Sequence, residues 1–502
     1  MGYPPVLLLI CVLVALVAAV PLIFIIAYTI STGWHEAWRL LVRPRVGELL
    51  YNTTRLLAGG MALSAVVGTG TAWLVERTAL PGRRVWGVLL AAPLAIPAFV
   101  TSFGWVSLTP RVESLTGALG IVTLAYYPLV YLPVAATLRG LDPALEETAH
   151  ALGLGRWQTF TRVILPQLRP ALLGSTLLVG LHLLAELGAL QMLRFPTFTT
   201  AIYDQYRSAF NGPAANMLAG VLVVCCAVLL TAEVGVRGRH RYARLGGGAA
   251  RPAEPVPLGR LTLPLLGTVV AVVILAVGVP LGSLVYWMSV GSSTSFPFGT
   301  VSSAAATSIG LALAAALVTT VLALPVAWLS VRHRGRVSTA LERSLYVPNA
   351  LPGIVVALAL ITVCTRFMQP LYQTTPLLVL AYAIVFLPRA LVSVRAAIAQ
   401  APPVLDDVAL SLGTGWVSRW WRVRLPLIAR GLGSGAALVF LAAVTELTAT
   451  LLLAPIGTRT LATEFWNAVR DIDYGAAAPY AALMVVWSAP ATYLLTRSRT
   501  RV

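Results

Sequence analysis

Long apolar runs dominate this chain and constrain its fold more than any other feature. Twelve can be marked, at about residues 5–30, 56–76, 85–108, 116–138, 171–193, 214–236, 261–290, 303–331, 342–365, 374–398, 430–454 and 475–496. A helix of roughly 20 apolar residues spans the bilayer core, which is about 30 Å thick. Only 11% of residues are charged, against about 25% in soluble domains, so lipid must be the solvent for most side chains. Lipid offers backbone groups no partner, and none of the runs shows the dyad alternation of a barrel strand. The expected class is an all-α membrane protein with twelve transmembrane helices. Spans 3, 4, 9 and 10 carry Pro93, Pro97, Pro128, Pro348, Pro352 and Pro388, read as kinks that neighbouring helices tolerate.

The first run has no positive front, is too long for a cleavable signal, and is followed by no small-residue cleavage site, so it reads as a retained helix. Cys11, Cys225, Cys226 and Cys364 fall within or at the ends of spans, which excludes a disulfide framework. The net charge of +18 follows topology rather than nucleic acid. With the N-terminus inside, the inner loops hold Arg77, Arg83 and Arg84, then Arg139, Arg156, Arg162 and Arg169, then the cluster from Arg237 to Arg260. The second half repeats this with Arg332, Arg334 and Arg336, then Arg419, Arg422 and Arg424, then Arg497, Arg499 and Arg501. The outer loops hold fewer arginines, and Asp204, Glu464, Asp471 and Asp473 partly balance them. By the positive-inside rule both termini are expected in the cytoplasm.

The chain is also an internal duplication. Trp73 matches Trp328, Pro93 matches Pro348 and Pro97 matches Pro352 at a separation of 255 residues; Pro128 matches Pro388 and Glu186 matches Glu446 at 260. One five-residue length difference between the third and fourth spans of each half reconciles the two offsets. Residues 1–236 and 261–502 thus read as two six-span repeats of the same orientation, related by an axis along the membrane normal. Residues 237–260, rich in Gly, Pro and Arg, read as a flexible cytoplasmic linker.

The most polar breaks are themselves copies. LDPALEETAHALGLGRWQTFTRVILPQLRP near residue 150 aligns with APPVLDDVALSLGTGWVSRWWRVRLPLIAR near residue 410. Glu147 falls with Asp407, Ala149 with Ala409, Gly153 with Gly413, Gly155 with Gly415, Leu165 with Leu425 and Pro166 with Pro426. Asp142-Pro143 has the form of a helix start. Glu146 and Glu147, and in the second copy Asp406 and Asp407, occupy a first turn that favours negative charge. Gly153 is expected to end the short helix, and Gly155 to permit a second turn. A second helix is expected from about Arg156 to Leu165, stopped by Pro166; in the second copy Pro426 is the stop. The product is a short helical hairpin, present twice, and a polar hairpin repeated in register implies a docking surface used twice.

These loops resemble the EAA loops of ABC-importer permeases, at residues 141–170 and 399–430. The resemblance rests on Glu147-Thr148-Ala149, Gly153, Val163 and Leu165-Pro166, and on Asp407-Val408-Ala409, Gly413, Val423 and Leu425-Pro426. Thr148 and Val408 replace the motif's middle alanine, and Asp407 its glutamate. The resemblance covers essentially the whole chain. It implies the type I ABC-importer permease fold in the bacterial plasma (inner) membrane, with each hairpin inserting into a cleft on an ATPase subunit. Two hairpins imply two ATPase copies, and the importer class implies an extracytoplasmic solute-binding protein. The composition agrees with that division of labour. All 36 basic residues are arginine, whereas a P-loop needs lysine on the phosphates. ATP and Mg are therefore expected on the partner ATPase. No cofactor and no enzymatic activity are expected in this chain, and its surroundings are membrane lipid.

The segments after the hairpins, LLAELGALQMLRFPTFTTAIYDQYRSAF and AAVTELTATLLLAPIGTRTLATEFWNAV, resemble those of fused ferric-iron permeases. Similar runs occur in importers of thiamine and other small solutes. Glu186 and Glu446 are ionisable groups within spans, where a cavity or partner is the usual reason for such a residue. They are expected to face one another across the repeat axis. His182, one turn before Glu186, is placed to pair with it. Two readings stand side by side: a carboxylate pair on the translocation path, and a hydrogen bond that fixes helix packing. No residues have the spacing of a metal site. An ion-gradient-driven secondary transporter also has twelve spans in two halves, but has no use for a repeated docking hairpin.

Overall fold

The computed structural model describes residues 3–32, 38–39, 42–237, 255–290, 298–333, 335–346 and 351–497. Among them the regular structure is helical, apart from one isolated bridge between Thr78 and Val256. Most of the segment read as a linker, and Pro348, lie outside the described residues. The last residues of that segment are tied down: Val256 N donates to Arg77 O (2.9 Å) and Ala79 N to Val256 O (3.0 Å).

Among the described residues, eight helices are long and apolar enough to cross a membrane, or ten if each of two bent pairs is one span. The expected count of twelve is therefore coarser in the structure, and proline chemistry explains part of the difference. In the third run the chain bends by 92° between Arg83–Ala95 and Ala98–Val106, which is a break rather than a kink. Ile96, before Pro97, is extended (φ −101°, ψ 115°), as the proline ring requires of its predecessor. In the fourth run, Leu115–Tyr126 and Pro128–Gly140 meet at 43°. Its copy, Thr375–Gln400, carries Pro388 without interruption. Gly353–Phe367, in the ninth run, has only 15 residues.

The chain forms two compact units, and these do not coincide with the sequence repeats. One contains residues 1–42, 202–223 and 295–471; the other contains 43–201, 224–294 and 472–502. In the first unit, Phe298–Arg332, Thr375–Gln400 and Leu425–Val444 pack on one another, and Pro5–Thr32 packs on Gly353–Phe367. In the second, Pro44–Arg77, Pro128–Gly140 and Leu165–Ala185 form the corresponding trio, and Val279–Val290 packs on Ala98–Val106. Small residues permit these contacts, since apolar burial alone does not drive helices together in lipid. A Cβ at Gly68 would stand 2.9 Å from the Tyr127 carbonyl oxygen, and one at Gly431 would stand 2.1 Å from the Ala397 Cβ.

Candidate functional site: two hairpins and two capped helix breaks

Each hairpin begins with a short helix, Pro143–Ala151 and Val404–Ser411. The first is capped by Asp142, whose Oδ1 accepts from Ala144 N (3.0 Å); Pro403 offers the second no side-chain cap. Both helices end in the same Schellman closure. Gly153 and Gly413 have φ of +82° and +73°. Gly153 N donates to His150 O and Leu154 N to Ala149 O; Gly413 N donates to Leu410 O and Thr414 N to Ala409 O. This pattern needs a left-handed residue after the cap, which favours glycine. It also accounts for the two alanines, which are buried (4% and 6% exposed) and supply the closing carbonyls.

The expected second helix does not stop at proline. Arg156–Ala185 and Trp416–Val444 are each continuous, and Pro166 and Pro426 lie in their interiors. The physical reason is a single π-turn, Phe160–Ile164 in one copy and Trp420–Arg424 in the other. There Leu165 N reaches back five residues to Phe160 O, and Leu425 N to Trp420 O. The wider turn accommodates the proline ring without ending the helix. An aromatic pair seats each turn on its long helix: Trp73 on Phe160 (5.1 Å between centroids) and Trp328 on Trp420 (4.9 Å).

The acids divide by role. Glu147 and Asp407 are exposed, while Glu146 and Asp406 face inward to arginines that sequence reasoning had assigned only to topology. Arg77 Nη1 lies 2.8 Å from Glu146 Oε1, and Arg77 Nη2 donates to Leu138 O (3.0 Å). Asp406 is instead clasped from within its own hairpin, with Arg424 Nε donating to Oδ1 at 2.9 Å and Nη2 to Oδ2 at 2.5 Å. Arg424 also lies over the rings of Trp328 and Trp420. In the first copy the position of Arg424 is Ile164, so the two hairpins are anchored differently.

The Arg424 hydrogen bonds hold the Asp406 carboxyl below its ordinary range, against a smaller opposing effect of burial. A depressed carboxylate pKa stabilises above the unfolded value and is lost as pH falls through the folded one. The unfolded value is about 3.9, so the second hairpin should hold its shape throughout pH 5–8 and loosen only in stronger acid. Arg424→Leu should remove that stability at neutral pH as well. Hydrogen exchange of the Val404–Ser411 amides checks both expectations, and equal protection in the variant and the wild type at pH 7 would contradict them.

Apolar side chains cover the outer surface of both hairpins. Leu152 and Leu412 are each 77% exposed, with Trp157 and Val417 beside them. Such exposure on a polar loop marks an interaction surface rather than a core.

Glu186 and Glu446 stand where the next helices break. Leu165–Ala185 ends at Glu186, and Gly188–Met192 begins just after it; Leu425–Val444 and Thr448–Leu453 repeat this around Glu446. Each carboxylate caps the short helix. Glu186 Oε1 accepts from Ala189 N (2.9 Å). Glu446 accepts from Ala449 N (3.0 Å), Thr450 N (3.2 Å) and Thr450 Oγ1 (3.0 Å). A threonine hydroxyl satisfies each glutamate's own carbonyl, Thr199 in one copy and Thr450 in the other.

Tyr126, which the sequence did not single out, donates its hydroxyl to Glu186, and its ring lies 5.7 Å from that of His182. His182 Nδ1 is bonded to Leu178 O (2.9 Å). Tyr382 takes a corresponding part in the second copy, through its 2.5 Å bond with Thr450 Oγ1. The threonines of the following loops are partly structural: Thr197 N donates to Thr200 Oγ1 and Thr460 N to Thr463 Oγ1, opening the helices Phe198–Arg207 and Leu461–Arg470. Among the described residues, no group of three His, Cys, Asp or Glu side chains is placed to hold a metal ion.

A doubled helical membrane unit, with a hairpin and a capped break in each copy, defines a multi-pass transport subunit. The chain belongs to the family of binding-protein-dependent transport system inner membrane components, whose pattern matches residues 64–234 and again 320–502. It is 37% identical over 97% of both chains to the Fe(3+)-transport system permease protein FbpB 2 of Haemophilus influenzae. The ferric transport system permease protein FbpB of Actinobacillus pleuropneumoniae is 25% identical, over 89% of this chain and 70% of its own. A sulfate transport system permease protein of Escherichia coli is 30% identical over 86% of its length, but over only 43% of this chain.

Proposed function

We propose that this permease carries ferric iron from an extracytoplasmic binding protein into the cytoplasm, driven by ATP hydrolysed on a separate ATPase. The observation that carries the reading is the 37% identity with an Fe(3+) permease along nearly the full length of both chains. In this reading the repeats are residues 1–236 and 261–502, joined by 237–260, with twelve spans and both termini cytoplasmic. Each hairpin docks one ATPase copy, which holds the ATP and Mg. Glu147 and Asp407 face the ATPase together with the exposed Leu152 and Leu412. Gly153, Gly413, Ala149 and Ala409 set the hairpin shape, and Leu165-Pro166 and Leu425-Pro426 join it to the bundle through the π-turn. Glu186 and Glu446, with His182 beside the first, border the iron path at the point where the crossing helices are interrupted. Carboxyl oxygens there suit a hard trivalent cation.

The test is reconstitution of the chain into liposomes with its ATPase and binding protein. ATP-dependent uptake of radiolabelled ferric iron is expected, with none when the ATPase is omitted and no ATP turnover by this chain alone. Uptake of sulfate or thiamine in place of iron would overturn the substrate, and ATP turnover by the isolated chain would overturn the division of labour.

A further inference from the structure

The long helix Pro44–Arg77 ends without a glycine. Its C-cap, Thr78, is extended (φ −121°, ψ 157°), and the last carbonyls of a helix have no donor within it. Residues 255–258 supply one. Val256 N donates to Arg77 O, and Val256 O accepts from Ala79 N. The sequence there, Pro255-Val256-Pro257, suits this use. Proline has no N–H, so of the three residues only Val256 can donate. Pro257 holds Val256 extended, and a stiff segment loses little freedom when it pairs. Leu258, next in the chain, packs against the apolar core of the same unit. These residues form a strap across the end of the helix.

Arg77 links that strap to the first hairpin. It is buried, 4% exposed, and a buried guanidinium has to be paired. Its Nη1 holds Glu146, in the first turn of Pro143–Ala151. Its Nη2 holds Leu138 O, in the last turn of Pro128–Gly140. The strap takes the carbonyl of the same arginine, and every one of these residues lies in one compact unit. The second repeat is arranged otherwise. Arg332, at the matching place, donates to Ala401 O (2.9 Å), and Asp406 is held by Arg424.

We infer that residues 255–258 are a positioning element for the first ATPase hairpin. The strap keeps the helix end from fraying, the helix end fixes Arg77, and Arg77 fixes Glu146 and the hairpin built on it. The inference rests on the reading of that hairpin as an ATPase dock. It gives the segment that joins the repeats a role in coupling, confined to one of the two hairpins.

The test uses Val256→Pro, which removes the donor to Arg77 O and keeps the segment extended. Val256→Gly, which keeps the donor but frees the backbone, is the second variant. In Val256→Pro the amides of Pro143–Ala151 are expected to exchange about fivefold faster, the loss of one hydrogen bond, and those of Val404–Ser411 at the wild-type rate. Val256→Gly should show a smaller loss in the same hairpin. ATP hydrolysed per ferric ion imported should rise in both variants, with thermal melting near the wild type. Glu146→Gln weakens the arginine's hold directly, so adding Val256→Pro to it should cost little more. Unchanged exchange in Pro143–Ala151, equal loosening of both hairpins, or fully additive losses in the double variant would each overturn the inference. A first hairpin that loosens while ATPase binding and ATP use stay at wild type would overturn the docking reading, and the coupling role with it.

Discussion

Valine at Gly153 or Gly413 is expected to weaken coupling by about tenfold or more while leaving the membrane bundle folded. Both glycines sit at φ above +70°, where a residue with a Cβ loses about 1–2 kcal/mol, and a β-branched one loses more. A Cβ at either position would meet nothing within 4 Å, so the penalty is conformational and confined to the hairpin. The chain escapes it by abandoning the left-handed turn. That breaks the Leu154–Ala149 or Thr414–Ala409 closure and swings the exposed Leu152 or Leu412 away from its place. A penalty of that size corresponds to a loss in docking of about tenfold, and uptake should fall at least as far because both hairpins must engage. ATPase co-purification and thermal melting, measured on the same preparations, separate the two effects. Gly155→Ala and Gly415→Ala are the controls: those glycines have φ of −68° and −66°, which alanine adopts freely. Full coupling in the valine variants, or collapse of the bundle with it, would contradict this account.

The reason the hairpins were legible in the sequence is that their determinants are local. A capping acid before proline, a glycine after the last turn and matching spacing in two copies each act within a few residues, and each appears in the structure where expected. Pro166 and Pro426 were misread because a π-turn has no composition of its own, so nothing in the Leu-Pro pair says whether the helix ends there or runs on. Pro128 and Pro388 make the related point, since matching prolines give a 43° bend in one copy and an uninterrupted helix in the other. The arginine anchors were hidden because Arg77 and Arg424 also satisfy the topology rule, and only tertiary contact shows which acid each one holds. Pairing across distance was equally invisible: Tyr126 lies 60 residues from Glu186, and nothing near it in sequence marks it. The compact units regroup helices of both repeats, an outcome of packing that internal similarity does not encode.

Removing the charge at Glu186 and Glu446 separates the two roles these residues can hold. Glutamine retains a side-chain oxygen of nearly the same reach, so the short helix still finds its acceptor for Ala189 N or Ala449 N. Alanine does not, and loss of a cap costs about 0.5–2 kcal/mol, while the Thr450 hydroxyl keeps the main-chain Glu446 O as its acceptor. The alanine variants should therefore melt lower and transport poorly, whichever role is correct. The glutamine variants decide between the roles. If the carboxylates act on the passing cation, Glu186→Gln and Glu446→Gln should melt close to the wild type, bind the ATPase normally and lose about tenfold or more in ferric-iron uptake, as expected for removal of a charge at a low-dielectric site. Tyr126→Phe removes a donor to Glu186 while leaving the charge, and should retain most of the uptake. Stability and uptake falling together in the glutamine variants would reduce both residues to pins at a helix break. Wild-type uptake in both would take them off the path altogether. The cap geometry makes the comparison decisive, because the backbone donors need only an acceptor, whereas a cation needs the charge.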